Sequence, residues 1–195
     1  MLRALLLAIL LGLAAPLAAQ QPVGVLLHTG AGDILVEIDR AHAPVTAANF
    51  LRYVDARRFD GIDFYRAMPG GQGKGLIQAG VRDPRRMFPP IAHEPTSQTG
   101  LSHVEGALSA PRLAVGTAQG DFTIMVGDMR YLDAGPGSAG DGLGYAVFGR
   151  VVEGMDVVRH ILAAPTSPTE GEGMMRGQML SPRIRIITAR RVPGG

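Results

Sequence analysis

Apolar and polar residues alternate with period two in several short stretches of this chain, and that period predicts strands. Stretches 23–29 and 33–39 are the first pair. Ile34, Val36 and Ile38 share one face, while Asp33, Leu35, Glu37 and Asp39 take the other. Gly30-Ala31-Gly32 between them is short enough for an antiparallel hairpin. An aromatic-rich strand follows over 60–69, opened by an Asp60-Gly61 turn signal and carrying Phe64-Tyr65-Arg66. Further strands are predicted over 76–80, 106–110, 121–126, 145–152 and 181–188.

The period changes twice. Over 44–56, Val45, Ala48, Leu51 (or Phe50) and Val54 recur at helical spacing; Pro44 suits the first turn, and Arg57 and Arg58 follow the last. Over 153–162, Met155, Val158 and Leu162 mark a second amphipathic helix, ended by Pro165 and Pro168. Residues 81–104 are broken by Pro84, Pro89, Pro90 and Pro95, and glycine-rich loops are expected at 69–75 and 133–142. About eight short strands with one helix early and one late predict a mainly β fold: a closed eight-stranded antiparallel barrel capped by two α-helices. Closure removes the exposed edges that short strands would otherwise leave.

Residues 1–19 stand apart from this pattern. Arg3 precedes an apolar run from Ala4 to Leu13, and small residues lead to Ala19. That is the layout of a cleaved signal peptide, which predicts a periplasmic or secreted product beginning at Gln20 and forming a single domain over 20–195. No cysteine is present, so stability rests on packing rather than disulfides. Basic and acidic residues number 19 and 17, a net charge of +2, and Lys74 is the only lysine. This balance argues against nucleic acid or an anionic membrane as partner, and a monomer is expected.

The common catalytic signatures are missing. There is no nucleophile elbow, dinucleotide fingerprint or paired-carboxylate pattern. The loop at 70–75 lacks the Ser or Thr that a phosphate loop places after Gly-Lys. His93-Glu94 and His103-x-Glu105 lack metal-ligand spacing and are expected to make local hydrogen bonds, so no metal or cofactor is expected. The chemistry has to come from an apolar pocket and a few hydrogen-bond donors. Arg66, closing an aromatic pair, is a candidate fixed donor.

Taken in order, several segments resemble cyclophilin-type peptidyl-prolyl cis-trans isomerases: Ala43-Pro44-Val45-Thr46-Ala47-Ala48-Asn49-Phe50-Leu51, Phe64-Tyr65-Arg66, Ile77-Gln78-Ala79-Gly80, Asp121-Phe122-Thr123-Ile124, Tyr131-Leu132-Asp133 and Val147-Phe148-Gly149-Arg150-Val151-Val152-Glu153-Gly154-Met155. The resemblance implies the same eight-stranded barrel, proline-containing peptides and unfolded segments as substrates, and no cofactor. It makes Arg66 the catalytic donor. Substrate contacts are implied for Phe64, Gln78, Arg112, Asp121, Phe122, Thr123, Tyr131, Leu132 and Tyr145.

Five departures from the family pattern affect that pocket. Gly75 and Thr123 stand where phenylalanines are usual, Ala110-Pro111-Arg112 replaces Met-Ala-Asn, Tyr131 replaces a tryptophan and Tyr145 a histidine. They predict a pocket floor with less aromatic surface. Two readings follow: an exported prolyl isomerase, or a cyclophilin-like peptide-binding or chaperone module with little turnover.

Overall fold

The computed structural model describes residues 21–192; the leader expected over 1–19, and its cleavage site, lie outside the described residues. The chain runs β1 (Val23–Thr29), β2 (Gly32–Ile38), α1 (Pro44–Asp55), β3 (Asp63–Pro69), β4 (Gly75–Gly80), the one-turn α2 (Thr96–Thr99), β5 (Ala107–Ala110), β6 (Asp121–Val126), β7 (Ala146–Glu153), α3 (Met155–Leu162), the two-residue β8 (Thr166–Ser167) and β9 (Met179–Arg191). The strands pair antiparallel in the order β1-β2-β7-β5-β6-β4-β3-β9, and β9 returns to β1. The barrel therefore closes on eight strands, with β8 as an outlying pair on β9. Among the described residues no helix is long and apolar enough to cross a membrane.

Alternation decides what enters the barrel. Val25, Leu27, Ile34, Val36, Ile38, Ile77, Leu108, Ile124 and Phe148 are all at most 1% exposed. Phe122 sits among them, its ring edge-on to Phe50, Phe59 and Phe64 with centroids 5.3–6.0 Å apart. Phe50 comes from α1, so that helix closes the end where β6 begins. Leu162 of α3 lies against Gly75, which pairs with Val126 at the other end of β6. The two helices thus plug opposite ends, as the sequence pattern predicts.

The buried face of α1 differs from the predicted one. Ala47, Phe50, Leu51, Tyr53 and Val54 are buried, whereas Val45 is 40% exposed and Ala48 faces solvent. The helix turns to bury its two aromatic rings, whose area outweighs that of a valine and an alanine. The last strand is also longer than predicted, and β8 and α2 carry no periodic signal because each is too short to show one.

A distant carboxylate caps α1. Ala43 offers no side-chain oxygen to the free N–H groups of the first turn. Glu94, buried, accepts instead from Val45 N at 3.0 Å, Thr46 N at 2.6 Å and Thr46 Oγ1 at 2.6 Å. Its charge also suits the positive end of the helix. Glu94→Ala is expected to cost roughly 2–3 kcal/mol, because it strands three donors away from water. Urea unfolding should show a lower midpoint at unchanged slope, and a midpoint equal to wild type would refute the capping role.

Candidate active site

Strand register brings one row of side chains together on the outer face of the barrel. Met179 of β9 pairs with Arg66, Arg66 with Gln78, Gln78 with Thr123, Thr123 with Ser109, and Ser109 with Val147. Directly paired residues share a face, so residues scattered over 66–179 become neighbours. Two residues further along β3, β4 and β6, Met68 pairs with Leu76 and Leu76 with Met125. A polar row and an apolar row thus lie side by side.

A bulge puts Arg66 in that row. Phe64 and Ala67 both point into the core, each 0% exposed. Strict alternation from Phe64 would turn Arg66 inward as well. The register of β3 instead slips between Phe64 and Arg66 against both β4 and β9, so Tyr65 and Arg66 both face out. Such a two-against-one bulge is a recognised way to re-aim a side chain.

Arg66 is half-buried and held by neutral acceptors. Its Nε donates to Gln178 Oε1 at 2.8 Å, one terminal nitrogen to Gln78 Oε1 at 3.0 Å and the other to Met68 Sδ at 3.5 Å. A guanidinium has five N–H bonds, so each terminal nitrogen keeps one for a further acceptor. Burial pulls the group below the ordinary arginine value, yet it stays charged at any working pH. The Tyr131 and Tyr145 phenols lie within electrostatic reach of it.

Gln78 is oriented from its other end. Its Nε2 donates to Asp121 Oδ2 at 3.0 Å, which turns its oxygen toward Arg66. The same Asp121 oxygen accepts from Tyr65 Oη at 2.5 Å, with Arg82 3.8 Å away. Gly80 makes room for this carboxylate, since a Cβ there would lie 1.7 Å from Asp121 Oδ1. Burial raises the Asp121 carboxyl above its usual range against the pull of Tyr65, Arg82 and Gln78. Burial, and then the Asp121 charge, pushes the Tyr65 phenol far up.

The raised Asp121 carboxyl makes a pH prediction. A group that binds its proton more tightly folded than unfolded adds stability below its unfolded pKa, and that gain is lost as pH rises through the folded value. Ionised Asp121 therefore weakens the fold at neutral pH. Asp121→Asn keeps an oxygen for Tyr65 and Gln78 and should raise Tm at pH 7, the advantage shrinking as pH falls through the carboxylate range. Thermal melts across that range check it; an advantage that grows on acidification would contradict the assignment.

The apolar floor is aliphatic and sulfur-rich. Leu76, Ala107, Met125, Met129 and Val147 are buried together, with Met68, Leu101 and Leu132 packed on them. Gly75 cannot be read as a missing aromatic, because a Cβ there would lie 2.4 Å from Met68 O and 3.0 Å from Leu162 Cδ1. Helix α3 occupies that space. Thr123 is buried, its hydroxyl donating to Ser109 O at 3.1 Å. The expected thinning of the floor is thus offset by methionines, whose flexible side chains fill irregular space.

Behind the row lies a buried Ser-His-Asp chain. Ser109 Oγ is 2.8 Å from His103 Nε2, and His103 Nδ1 is 2.5 Å from Asp133 Oδ1, which also accepts from His103 N. Burial lowers the imidazole below its ordinary value against the pull of Asp133, which favours the neutral ring. Nδ1 then carries the proton toward Asp133, and Ser109 donates to Nε2. Ser109 is 1% and His103 0% exposed, which leaves the hydroxyl no access to a substrate. The chain fastens the segment bearing Tyr131 and Leu132 to the barrel, and Tyr145 N donates to Leu132 O at 3.1 Å.

The other sequence-predicted residues divide in two. Gln78, Thr123 and Asp121 lie in or beside the Arg66 row, Tyr131 and Tyr145 come within electrostatic reach of it, and Leu132 packs on the apolar floor. Phe64 and Phe122 do not: both are in the barrel interior, at 0% and 1% exposure, and support the sheet from within. Alternation sends them inward, an outcome that the aromatic run alone obscures. Arg112 spends its guanidinium on both oxygens of Asp141, at 2.8 Å each, and on Gly144 O. It braces the 133–144 loop. The histidine–acid pairs are likewise engaged: Glu94 caps α1, His93 Nε2 meets Leu143 O at 3.1 Å, and Glu105 pairs with Arg159 and accepts from Gly127 N. Sequence reading missed Tyr65, Met68, Gln178 and the His103 chain. Only the bulge neighbour Tyr65 had a signal, its place beside Arg66.

Known proteins share the sequence pattern and the fold. Residues 24–190 match the sequence profile of the family described as Cyclophilin type peptidyl-prolyl cis-trans isomerase/CLD. The chain is 35% identical over 150 residues to peptidyl-prolyl cis-trans isomerase A of Dickeya dadantii, covering 76% of each protein. It is 34% identical over 147 residues to peptidyl-prolyl cis-trans isomerase B of Escherichia coli, covering 73% of this chain and 85% of that one. In fold it resembles a cyclophilin-type isomerase of Cryptosporidium parvum crystallised in the presence of the dipeptide Ala-Pro, with a TM-score of 0.69 at 18% identity, covering 88% of this chain and 99% of that one. With an eight-stranded barrel, an outward arginine in its polar row and a family match spanning nearly every described residue, the chain belongs to the cyclophilin-type peptidyl-prolyl cis-trans isomerases.

Proposed function

We propose that this protein accelerates rotation about X-Pro bonds in exported, unfolded or partly folded polypeptides, with Arg66 as the donor to the prolyl amide. The supporting observation is a charged guanidinium held by neutral acceptors, with N–H bonds to spare, beside an apolar row. Rotation about the peptide bond breaks its conjugation, at a barrier of ~18–20 kcal/mol. The twisted amide nitrogen regains a lone pair. A donor aimed at that nitrogen binds the twisted form better than the planar one, which is what lowers a barrier. Met68, partly buried on a floor backed by the buried Leu76 and Met125, supplies apolar surface for the proline ring, and Gln78, oriented by Asp121, supplies a polar contact for the peptide. This chemistry asks for no cofactor.

Export rests on the leader pattern of residues 1–19, and N-terminal sequencing of the secreted or periplasmic protein should begin at Gln20. Proline isomerisation takes tens of seconds uncatalysed, slow enough to limit folding outside the cytoplasm. A second reading, a peptide-binding module with little turnover, draws on Thr123, whose hydroxyl is committed to Ser109 O and which offers no ring to a proline. A protease-coupled assay on an X-Pro peptide separates the two. The first reading expects a rate well above the uncatalysed one at catalytic enzyme concentration. Background rates with peptide binding intact would leave only the second.

A further inference from the structure

Among the polar partners of Arg66, the shortest contact comes from a residue that neither the sequence pattern nor the family resemblance singles out. We infer that Gln178 is a positioning residue for the reaction: it fixes the rotation of the Arg66 guanidinium and, being neutral, leaves its charge available to the prolyl amide. This rests on the proposed role of Arg66.

Gln178 is itself fixed. Its backbone carbonyl accepts from Ala67 N at 3.0 Å, next to Arg66 in β3. Its side-chain nitrogen donates to Met174 O at 2.8 Å, so its oxygen is the atom left to face Arg66 Nε. One hydrogen bond to a guanidinium leaves the plane free to swing. A second, from Gln78 on the far side, stops it, and the two unused N–H bonds then point in a set direction. The amide oxygen also matters by what it is not. A carboxylate in that place would form a charge-assisted pair with Nε and draw off the charge that the twisted nitrogen should meet. Glu170 and Glu172 lie in the same segment, yet the residue that reaches Arg66 is the glutamine.

Kinetics of the full-length mature protein on an X-Pro peptide test this, with Arg66→Ala, Gln178→Ala and Gln178→Glu run beside wild type. Gln178→Ala should lower kcat by about 10-fold or more with KM within about twofold and Tm unchanged, because the lost interaction orients the donor rather than binding the peptide. Gln178→Glu should keep the contact and Tm, be slow at neutral pH, and regain rate only as pH falls below the ordinary glutamate value of ~4.3, because the adjacent guanidinium holds the new carboxyl down, while wild type stays flat over the same range. Wild-type kcat in both Gln178 variants, with Arg66→Ala inactive, would overturn this inference alone. So would a kcat loss that merely tracks a fall in Tm, or a Gln178→Glu enzyme equally slow at every pH. An Arg66→Ala enzyme at the wild-type rate would instead overturn the reading beneath it.

Discussion

Replacing Arg66 by alanine is expected to lower kcat/KM for X-Pro isomerisation by about 10²–10³-fold, the usual cost of removing one preorganised donor from a site of this kind. The loss should fall on kcat, since the proposed bond to the amide nitrogen would form only as the amide twists. The fold should tolerate the change. Arg66 is half-buried on the outer face, so the space it vacates opens to solvent and water can take its place on the two glutamine oxygens. Arg66→Lys should recover little, because an ammonium cannot hold Gln178 from Nε and Gln78 from a terminal nitrogen at once. Circular dichroism and Tm beside the kinetics check both halves. A normal turnover in Arg66→Ala would remove the arginine from the mechanism.

The largest stability effect is expected at Phe122. Its ring packs edge-on against those of Phe50, Phe59 and Phe64 inside the barrel. Phe122→Ala should cost about 3–5 kcal/mol, from lost transfer energy and from a cavity that three rigid neighbours cannot close. That is a large part of the ~5–15 kcal/mol available to an ordinary domain. Phe122→Leu keeps most of the volume and should cost about 1–1.5 kcal/mol. Denaturant unfolding of the two variants measures this. A folded, wild-type-stable Phe122→Ala protein with weakened peptide binding would return Phe122 to the substrate contacts that the resemblance implies.

These two residues show what the sequence could carry. Hydrophobic alternation is enough to locate the barrel strands along the chain, and short strands with two helices imply closure, because open edges are a liability. Ordered motifs then pointed to Arg66 and Gln78. Facing was harder to read. Phe64 and Phe122 lie in the motifs that mark the site, yet period two sends them into the core. Arg66 faces out only because β3 bulges at Tyr65, and one extra residue in a strand leaves no mark on composition. Partners far apart in sequence were hidden for the same reason: Gln178 meets Arg66 through the β3–β9 register, and Glu94 meets α1 across a loop. Single substitutions in the motifs do not reveal the pocket floor, because other residues take over the space. The space at Gly75 belongs to Leu162, and Met68, Met125 and Met129 fill volume that the family pattern does not name.

A site that turns over X-Pro bonds, rather than only holding them, interconverts their cis and trans forms. Exchange NMR on an Ala-Pro-containing peptide with a small fraction of enzyme measures that directly, because cis and trans resonances exchange too slowly to connect without catalysis. Cross-peaks between the two forms are expected with wild-type protein and should vanish with Arg66→Ala. Shifted peptide resonances without cross-peaks, from wild-type protein, would contradict turnover at this site and leave a binding module in its place.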